Sequence, residues 1–289
     1  MGFIMKKSIK DKSLFDKQIE GQMTQISSMN QTRGVKNVHR VIDLLESFEQ
    51  HPSGMTLSEL SVNLDLPKST VHRLLNALLD RRFVRESNPP GKYLLGYKFL
   101  HLSLAYLEGF DLYREAHPKL EELNKKIDET IILGVFDQTQ HQIIYLDKID
   151  TTKSIKLGSR VGETAPIHCT AIGKALLSGF PDDEILRILN NYKFEKFTDQ
   201  TIVNIPVLLK DLSETKKRGY AIDLQEYKTN IVCVGVPILN FVGDPLAAIS
   251  VSAPADRFEP SRMEIVAKLV IEAAKDIGKL LPNIPVQQT

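Results

Sequence analysis

Residues 66–79, LPKSTVHRLLNALL, constrain the fold of this chain more than any other stretch. Apolar side chains recur there at spacings of three and four, which is typical of a helix with one buried face. The opposite face carries cationic and hydrogen-bonding side chains at Lys68, Ser69, Thr70, His72, Arg73 and Asn76. Pro67 suits the first position of a helix, where its missing N–H has no partner to lose. The pattern fits a DNA-recognition helix or an ordinary amphipathic surface helix.

The segments on either side of this helix favour DNA recognition. A first helix is predicted from the apolar stripe of Val38, Val41, Ile42, Leu45 and Phe48. A second helix begins at Thr56, whose hydroxyl forms a capping box with the Glu59 carboxylate, and a short turn at residues 63–66 follows it. Two short apolar runs around the Pro/Gly cluster at residues 88–91 predict a hairpin. Three helices and a hairpin wing predict a winged helix-turn-helix.

The net charge of the chain is only +1, but it is unevenly distributed. Residues 1–98 hold 15 Lys and Arg against 10 Asp and Glu, whereas residues 99–289 hold 22 against 26. The N-terminal part therefore carries a charge of +5 and the remainder −4. A basic module joined to an acidic one is consistent with a DNA-binding domain attached to a separate sensor domain.

The composition excludes several classes of protein. Apolar residues make up 42% and charged residues 25% of the 289 residues, as in globular proteins. No run approaches the ~18 apolar residues of a membrane span, and polar residues follow the first lysines where a secretion signal needs an apolar core. Cys169 and Cys233 are too few for a disulfide framework. We expect a cytoplasmic protein of two domains without a membrane role, preceded by a flexible tail at residues 1–32.

Residues 97–112 are predicted to form a linker helix that is more apolar than one domain requires, so we expect it to contact a second copy. The chain beyond it alternates strand-like runs rich in Ile and Val with helical patterns. The strand-like runs are residues 130–136, 142–146, 155–160, 231–239 and 246–252. The helical patterns are residues 116–128, 171–179, 182–190, 206–218 and 261–281. This order predicts an α+β fold with an antiparallel sheet flanked by helices.

Four motifs of the chain, taken in order, are similar to the signatures of one family. They are residues 66–75 (LPKSTVHRLL), 91–96 (GKYLLG), 167–177 (IHCTAIGKALL) and 232–237 (VCVGVP). Over residues 35–282 the chain resembles the IclR family of bacterial transcription regulators. Asp65 stands in the turn where the family often has Gly. Because Asp tolerates a left-handed backbone better than most residues, we expect the turn to form.

The resemblance implies a domain organisation and a mode of assembly. A winged helix-turn-helix is expected at residues 33–96, a linker helix at 97–112 and a GAF-like effector domain at 113–289. Members of the family assemble as homodimers or as dimers of dimers, so a homodimer or a homotetramer is expected here.

The candidate DNA contacts lie on the recognition helix and beside the wing. They are Lys68, Ser69, Thr70, His72, Arg73, Arg82 and Lys92. Arg73 is the best candidate for a bidentate contact to guanine, because the guanidinium fork matches the two acceptors of that base. Arg82 and Lys92, near the wing, are expected to contact the phosphate backbone of double-stranded DNA.

The resemblance also implies an effector pocket on one side of the C-terminal sheet. Its lining matches Ser154, Leu157, Ala171, Ile172, Asp223, Ile231, Cys233, Ser250 and Ser252. Ala171 and Ile172 begin a helix whose unpaired N–H groups suit a carboxylate, so a small organic acid is the expected ligand. Without the resemblance, Cys233 also fits a buried core residue, Asp223 a local cap, and the two serines a plain polar strand face.

These features predict a DNA-binding transcription regulator, a repressor that binds a partly palindromic operator and has no cofactor. The alternative is a small-molecule enzyme with an appended nucleic-acid-binding domain. The chain lacks G-x-S-x-G, Walker, H-E-x-x-H and dinucleotide motifs, which leaves Cys233 with His168 as the one nucleophile and base to consider. A metal site at His168, Cys169, Asp223 and Cys233 lacks short-range ligand spacing. We therefore expect neither an enzyme nor a metal site.

Overall fold

The computed structural model describes residues 35–109 and 111–281. The chain forms two compact units, one ending at Ala105 and the other beginning at Tyr106. The tail predicted at residues 1–32 lies outside the described residues. Among the helices that are described, none combines the length and the apolar character needed to cross a membrane.

The first unit contains three helices followed by a hairpin and the start of a fourth helix. The elements are α1 (residues 35–46), α2 (Leu57–Asn63), α3 (Lys68–Asp80), β1 (Val84–Glu86), β2 (Tyr93–Leu95) and α4 (Lys98–Gly109). The two strands pair antiparallel, with Val84 opposite Leu95. The winged helix-turn-helix predicted from the sequence is confirmed.

Local chemistry explains where these helices begin. At the start of α2 the Thr56 hydroxyl accepts the Glu59 N–H at 3.2 Å, and the Glu59 carboxylate accepts the Thr56 N–H at 2.6 Å, as in a capping box. These bonds hold the pKa of Glu59 below its ordinary value. Asp65 takes the left-handed backbone that the turn before α3 requires, at φ 48°. Pro67 precedes α3 and is not its first residue, because the helix begins at Lys68.

The core of the first unit confirms the apolar face of α3 but changes that of α1. The buried residues of α3 are Val71, Leu74, Leu75 and Leu78. On α1 the predicted stripe is partly wrong, because Leu44 is fully buried whereas Val38 and Ile42 are 58% and 44% exposed. The spacing that faces the core includes Leu44 and Phe48, and Val38 and Ile42 point outward.

The second unit is built on one sheet. Its elements are α5 (Asp111–Ile127), β3 (Thr130–Asp137), β4 (Gln142–Ile149), β5 (Thr164–Pro166), α6 (Ala171–Gly179), α7 (Asp182–Ile188), α8 (Ile205–Arg218), β6 (Ala221–Leu224), β7 (Ile231–Leu239), β8 (Pro245–Pro254), a short 3₁₀ turn (Ala255–Arg257) and α9 (Pro260–Leu280). The sheet has six strands in the order β5-β4-β3-β8-β7-β6, and all neighbours are antiparallel. The predicted α+β class with an antiparallel sheet and flanking helices is confirmed.

Two details of the predicted sheet are wrong. Residues 155–160 form a loop, with Ile155 62% exposed, because they pair with none of the described strands. Strands β5 and β6 were not predicted, since one has three residues ending in Pro166 and the other has four with Asp223 in its interior. Such short, polar segments become strands only through the partners that flank them.

The two faces of the sheet differ in what covers them. Val232, Val234 and Val236 of β7 belong to the core formed with α5 and α9. The alternate residues point to the other face, where α6 packs so closely that a Cβ at Gly235 would collide with the Ala171 carbonyl oxygen. The face toward α6 is therefore the one that carries the candidate effector residues.

Candidate nucleic-acid interface and ligand-binding face

Helix α3 presents its candidate DNA contacts on its outer face. Lys68, Ser69, His72 and Arg73 are exposed, and Thr70 is half-buried. Neither Lys68 nor Arg73 forms an ion pair with another residue in the described part of the chain. Their charges are therefore not neutralised by those residues, which is the state that phosphate binding needs.

The two candidates beside the wing occupy different positions. Arg82 is exposed in the tight turn after α3, at φ 62°, and its carbonyl oxygen accepts the Lys98 N–H at 3.2 Å. Lys92 is exposed at the start of β2 and lines a cavity of about 550 Å³ next to the capping box of α2. Sequence analysis missed Arg85, an exposed residue of β1 whose guanidinium lies 5.7 Å from the centre of the Tyr97 ring.

Strand register brings four of the candidate effector residues together. Asp223 lies opposite Cys233, Cys233 lies opposite Ser252, and Ser252 lies opposite Thr130. Ser250 is in the adjacent row, opposite Gly235. Directly opposite residues of an antiparallel sheet point to the same side, so these side chains form one patch, which we call the polar face (Thr130, Asp223, Cys233, Ser250 and Ser252).

The start of α6 lies over this face. Thr170 caps the helix, its hydroxyl accepting the Gly173 N–H at 3.1 Å. Ala171 and Ile172 are 1% and 2% exposed. A Cβ at Gly235 would approach the Ile172 nitrogen to 3.1 Å, so glycine in β7 keeps the space in front of this helix end open.

The remaining candidates lie at the margins of the polar face. Ile231 shares its side of β7 with Cys233, two residues away, and is half-buried. Ser154 and Leu157 belong to the loop between β4 and β5, not to a strand as predicted. The Lys148 ammonium, which register places in the row of Ser250, donates to the Leu157 carbonyl oxygen at 2.9 Å. That bond ties the loop to the same face of the sheet, while the Ser154 side chain remains exposed.

Burial controls the titration of the polar face. It raises the pKa of Asp223 to about 7, with a further rise from the charge of Glu226. The Glu226 N–H opposes this effect by donating to Asp223 Oδ1 at 2.7 Å. Burial also raises the pKa of the Cys233 thiol well above its ordinary value. At neutral pH Cys233 is therefore a neutral thiol, and Asp223 exists in both protonation states.

A buried ion cluster next to the polar face was missed in the sequence. Lys174 of α6 is 1% exposed, and its ammonium lies 2.5 Å from a Glu226 carboxylate oxygen and 3.0 Å from one of Asp211. The signal was present, because Lys174 interrupts an apolar run that forms the buried side of a helix. Its partners could not be read from the sequence, since Glu226 is 52 residues away.

His168 has no free nitrogen for catalysis. Its Nε2–H donates to the Glu195 carbonyl oxygen at 3.0 Å, and its Nδ1 lies 2.9 Å from the Tyr192 hydroxyl. Burial holds the pKa of His168 below its ordinary value, so the ring is a neutral structural group. Within the described residues, no group of three or more His, Cys, Asp and Glu side chains is arranged to hold a metal ion.

The structure defines a class of protein: a winged helix-turn-helix with an unpaired cationic helix, joined to a sheet unit with a polar face. Family models match both parts. The model described as "IclR helix-turn-helix domain" matches residues 38–87, and the one described as "Bacterial transcriptional regulator IclR C-terminal" matches residues 104–279. The chain belongs to the IclR family of bacterial transcription regulators.

Relatives extend over most of the chain. It is 32% identical over 249 residues to the HTH-type transcriptional regulator KdgR of Escherichia coli (strain K12), which covers 86% of this chain and 93% of that protein. It is 31% identical over 246 residues to the Acetate operon repressor of Salmonella typhimurium (strain LT2), covering 85% and 90%. These relatives regulate transcription, so this chain is a DNA-binding transcription regulator and not an enzyme.

Solved structures show the same fold. The crystal structure of the Thermotoga maritima IclR aligns with a TM-score of 0.75 and 29% identity, over 86% of this chain and 99% of that one. An IclR homolog from Microbacterium hydrocarbonoxydans, complexed with 4-hydroxybenzoate, aligns with a TM-score of 0.71 and 22% identity, over 84% and 98%. At that identity the second structure shows the shared fold alone.

Proposed function

We propose that this regulator is a repressor whose affinity for its operator is controlled by a small organic acid bound at the polar face. The observation that carries the proposal is the alignment of Asp223, Cys233, Ser252 and Thr130 on four neighbouring strands. A buried polar group costs free energy unless it is hydrogen-bonded. A ligand with hydroxyl or keto oxygens supplies such bonds, and the repressor name of the Salmonella relative supports the direction of control.

The two ends of this ligand are expected to bind differently. Its carboxylate would lie at the start of α6, near Ala171 and Ile172, because unpaired N–H groups and the helix dipole favour an anion there. Its uncharged oxygen would lie near Asp223, since an ionised Asp223 repels a second carboxylate. The 4-hydroxybenzoate of the Microbacterium homolog is a carboxylate with one hydroxyl, and a ligand of that class suits this arrangement. Leu157 and Ile231 would enclose the carbon skeleton, with Ser154 at the margin.

We assign DNA binding to residues 33–96, the linker helix to 97–112 and ligand binding to 113–289. Lys68, Ser69, Thr70, His72 and Arg73 would contact phosphates and base edges of double-stranded DNA, with Arg82 and Lys92 on the backbone beside them. The exposed, unpaired cations of α3 support this assignment. The cell compartment that holds DNA, the cytoplasm, is the expected location.

A homodimer would place two copies of α3 in successive major grooves of a partly palindromic operator. Helix α4 supports such a contact, because none of its described residues is buried and Leu100, Leu102 and Leu104 are 57%, 45% and 50% exposed. Val35, Val38 and Ile42 of α1 add a second exposed apolar row. Surfaces of this kind in a protein without a membrane role mark contacts between chains.

The ligand can act only by binding one arrangement of the protein more tightly than another. The test therefore measures both activities on one sample. An operator fragment is selected from randomised DNA with the wild-type protein, and its affinity is measured by fluorescence anisotropy during titration with aromatic, keto and sugar acids. We expect at least one acid to weaken DNA binding and to raise the melting temperature. An acid that binds by calorimetry without changing DNA affinity would contradict the regulatory role.

A further inference from the structure

The second unit contains a large cleft that no part of the proposed function uses. Its volume is about 860 Å³. Strand β6 pairs with β7 only between Val232 and Gly235, so residues 236–239 of β7 extend past the edge of the sheet. The cleft opens at this uncovered edge, between the C-terminal ends of α6, α8 and α9.

The walls of the cleft are mainly apolar. They include Val236, Pro237 and Leu239 of β7 and Ile271 and Ala274 of α9. Pro237 has no N–H to donate, which is typical of an open strand edge. An apolar recess of this size on the surface of a protein is typical of a binding site, not of ordinary surface.

A rigid apolar turn stands beside the cleft. Phe241 and Val242, between β7 and β8, are 73% and 62% exposed. The Asn240 side chain fixes the turn by accepting the Val242 N–H at 3.1 Å and the Asp244 N–H at 2.8 Å. Gly243 completes it at φ 96°. The backbone hydrogen bonds therefore hold two large apolar side chains in solvent, and a fixed aromatic anchor binds with little loss of conformational entropy.

The turn and the cleft also carry complementary charges. Asp244 is exposed at the end of the turn. Lys275 is exposed on the wall of the cleft and has no ion pair with any residue of the described part of the chain. The other two lysines of the wall are already paired, Lys216 with Asp182 and Lys279 with Asp276. One surface thus holds an apolar projection with a carboxylate and an apolar recess with a free ammonium.

We propose that this surface is a self-association site, in which the Phe241 turn of one copy enters the cleft of a second copy and receives its turn in return. A patch that carries both halves of a contact forms a closed pair around a two-fold axis. Asp244 of each copy then meets Lys275 of the other. This contact goes beyond the proposed function, because it involves neither α3, α4 nor the polar face. Together with a contact through α4 it joins two dimers into a tetramer.

The first test compares oligomeric states by sedimentation velocity on the full chain. Wild-type protein is expected to form a species larger than the Phe241→Asp variant does, and the substitution should weaken the contact roughly thirtyfold or more, as loss of an aromatic anchor does. Ile265→Asp is the matched control, because Ile265 is 61% exposed on α9 but does not line the cleft. Equal masses for wild type and Phe241→Asp over the accessible concentrations would overturn the proposal.

The second test exchanges the charges. Asp244→Lys and Lys275→Asp should each weaken self-association by about tenfold, because each places like charges opposite one another. A mixture of the two variants should associate like the wild type, since opposite charges then face each other wherever a copy of one variant meets a copy of the other. Failure of the mixture to associate while each variant remains folded would overturn the contact.

Operator binding is measured on the same variants. A dimer of Phe241→Asp that still binds the operator separates the self-association site from the proposed DNA function. Loss of DNA binding by the wild type itself would contradict the proposed function and leave the prediction of oligomeric state intact.

Discussion

Helix α3 and the region of the polar face hold their charged groups in opposite ways. On α3, Lys68 and Arg73 are exposed and carry charges that no described residue neutralises. In the second unit, Lys174 is 1% exposed and lies between two carboxylates, those of Glu226 and Asp211. An exposed charge contributes little to folding, whereas a buried charge depends on its partner. Substitutions should therefore impair DNA binding in the first region and folding or ligand binding in the second.

The largest effect is expected from Lys174→Met. The variant leaves the Glu226 carboxylate buried without its cation, which costs about 3–5 kcal/mol when one partner of a buried pair is removed. Urea denaturation followed by circular dichroism measures the loss of unfolding free energy. Lys68→Met is the matched control and should change stability by no more than about 0.5 kcal/mol. Equal losses in the two variants would remove the contrast between the regions.

Asp223→Asn should change how stability depends on pH. The pKa of Asp223 is raised to about 7 in the folded protein, and it is about 4 in an unfolded chain. The folded state thus binds a proton more tightly, and this contribution is complete below about pH 4 and lost as the pH rises through about 7. Asparagine resembles the protonated form. The stability gain of the variant over wild type should grow from pH 5 to pH 8, by on the order of a few kcal/mol.

The same variant tests the ligand site. Asp223→Asn should weaken ligand binding about tenfold in calorimetry at pH 8, because it removes the ionised acceptor beside the ligand's hydroxyl. Asp199→Asn serves as the control, since the Asp199 side chain is 95% exposed. An unchanged affinity would argue that the ligand does not reach the polar face.

Arg73→Ala should lower operator affinity without lowering stability. Loss of a bidentate base contact costs about 1–3 kcal/mol of discrimination, so the footprint of the protein on its operator should disappear at concentrations that protect it in the wild type. Arg187→Ala on α7 is the control, with an Arg187 side chain that is 69% exposed. An intact footprint would exclude α3 from base recognition.

The smallest effect concerns salt. Each phosphate contact that is lost should reduce the slope of log affinity against log salt concentration by about one. Lys68→Ala should therefore flatten the slope by that amount and leave the melting temperature unchanged. A slope equal to that of the wild type would place the Lys68 ammonium away from the phosphates.

Sequence patterns predicted the first unit more completely than the second. The capping box at Thr56 and the hydrophobic spacing of α3 are local features, so they could be recognised without knowing what lies nearby. The exposed face of α1 was misassigned because Val38 and Ile42 are as apolar as the residues that face the core. Apolar side chains that face a partner chain give the same pattern as those that face the protein's own interior.

The second unit shows the reverse situation. Long runs such as β7 were recognised, but the loop at residues 155–160 was taken for a strand, and β5 and β6 were missed. Strand formation depends on partners distant in the chain, and composition alone does not supply them. The candidate ligand residues came from a family resemblance, not from spacing, and neither Thr130 nor Lys174 was among them.

Local patterns in the chain were sufficient for α3, because a helix is defined by hydrogen bonds and side-chain spacings within a few residues. The polar face required strand register, since Asp223, Cys233, Ser252 and Thr130 become neighbours only when four strands pair. The burial of Lys174 and the cleft beside Phe241 depended on the packing of helices against that sheet. Contacts between residues far apart in sequence are decided by the folded arrangement, because many pairings are compatible with the same local patterns.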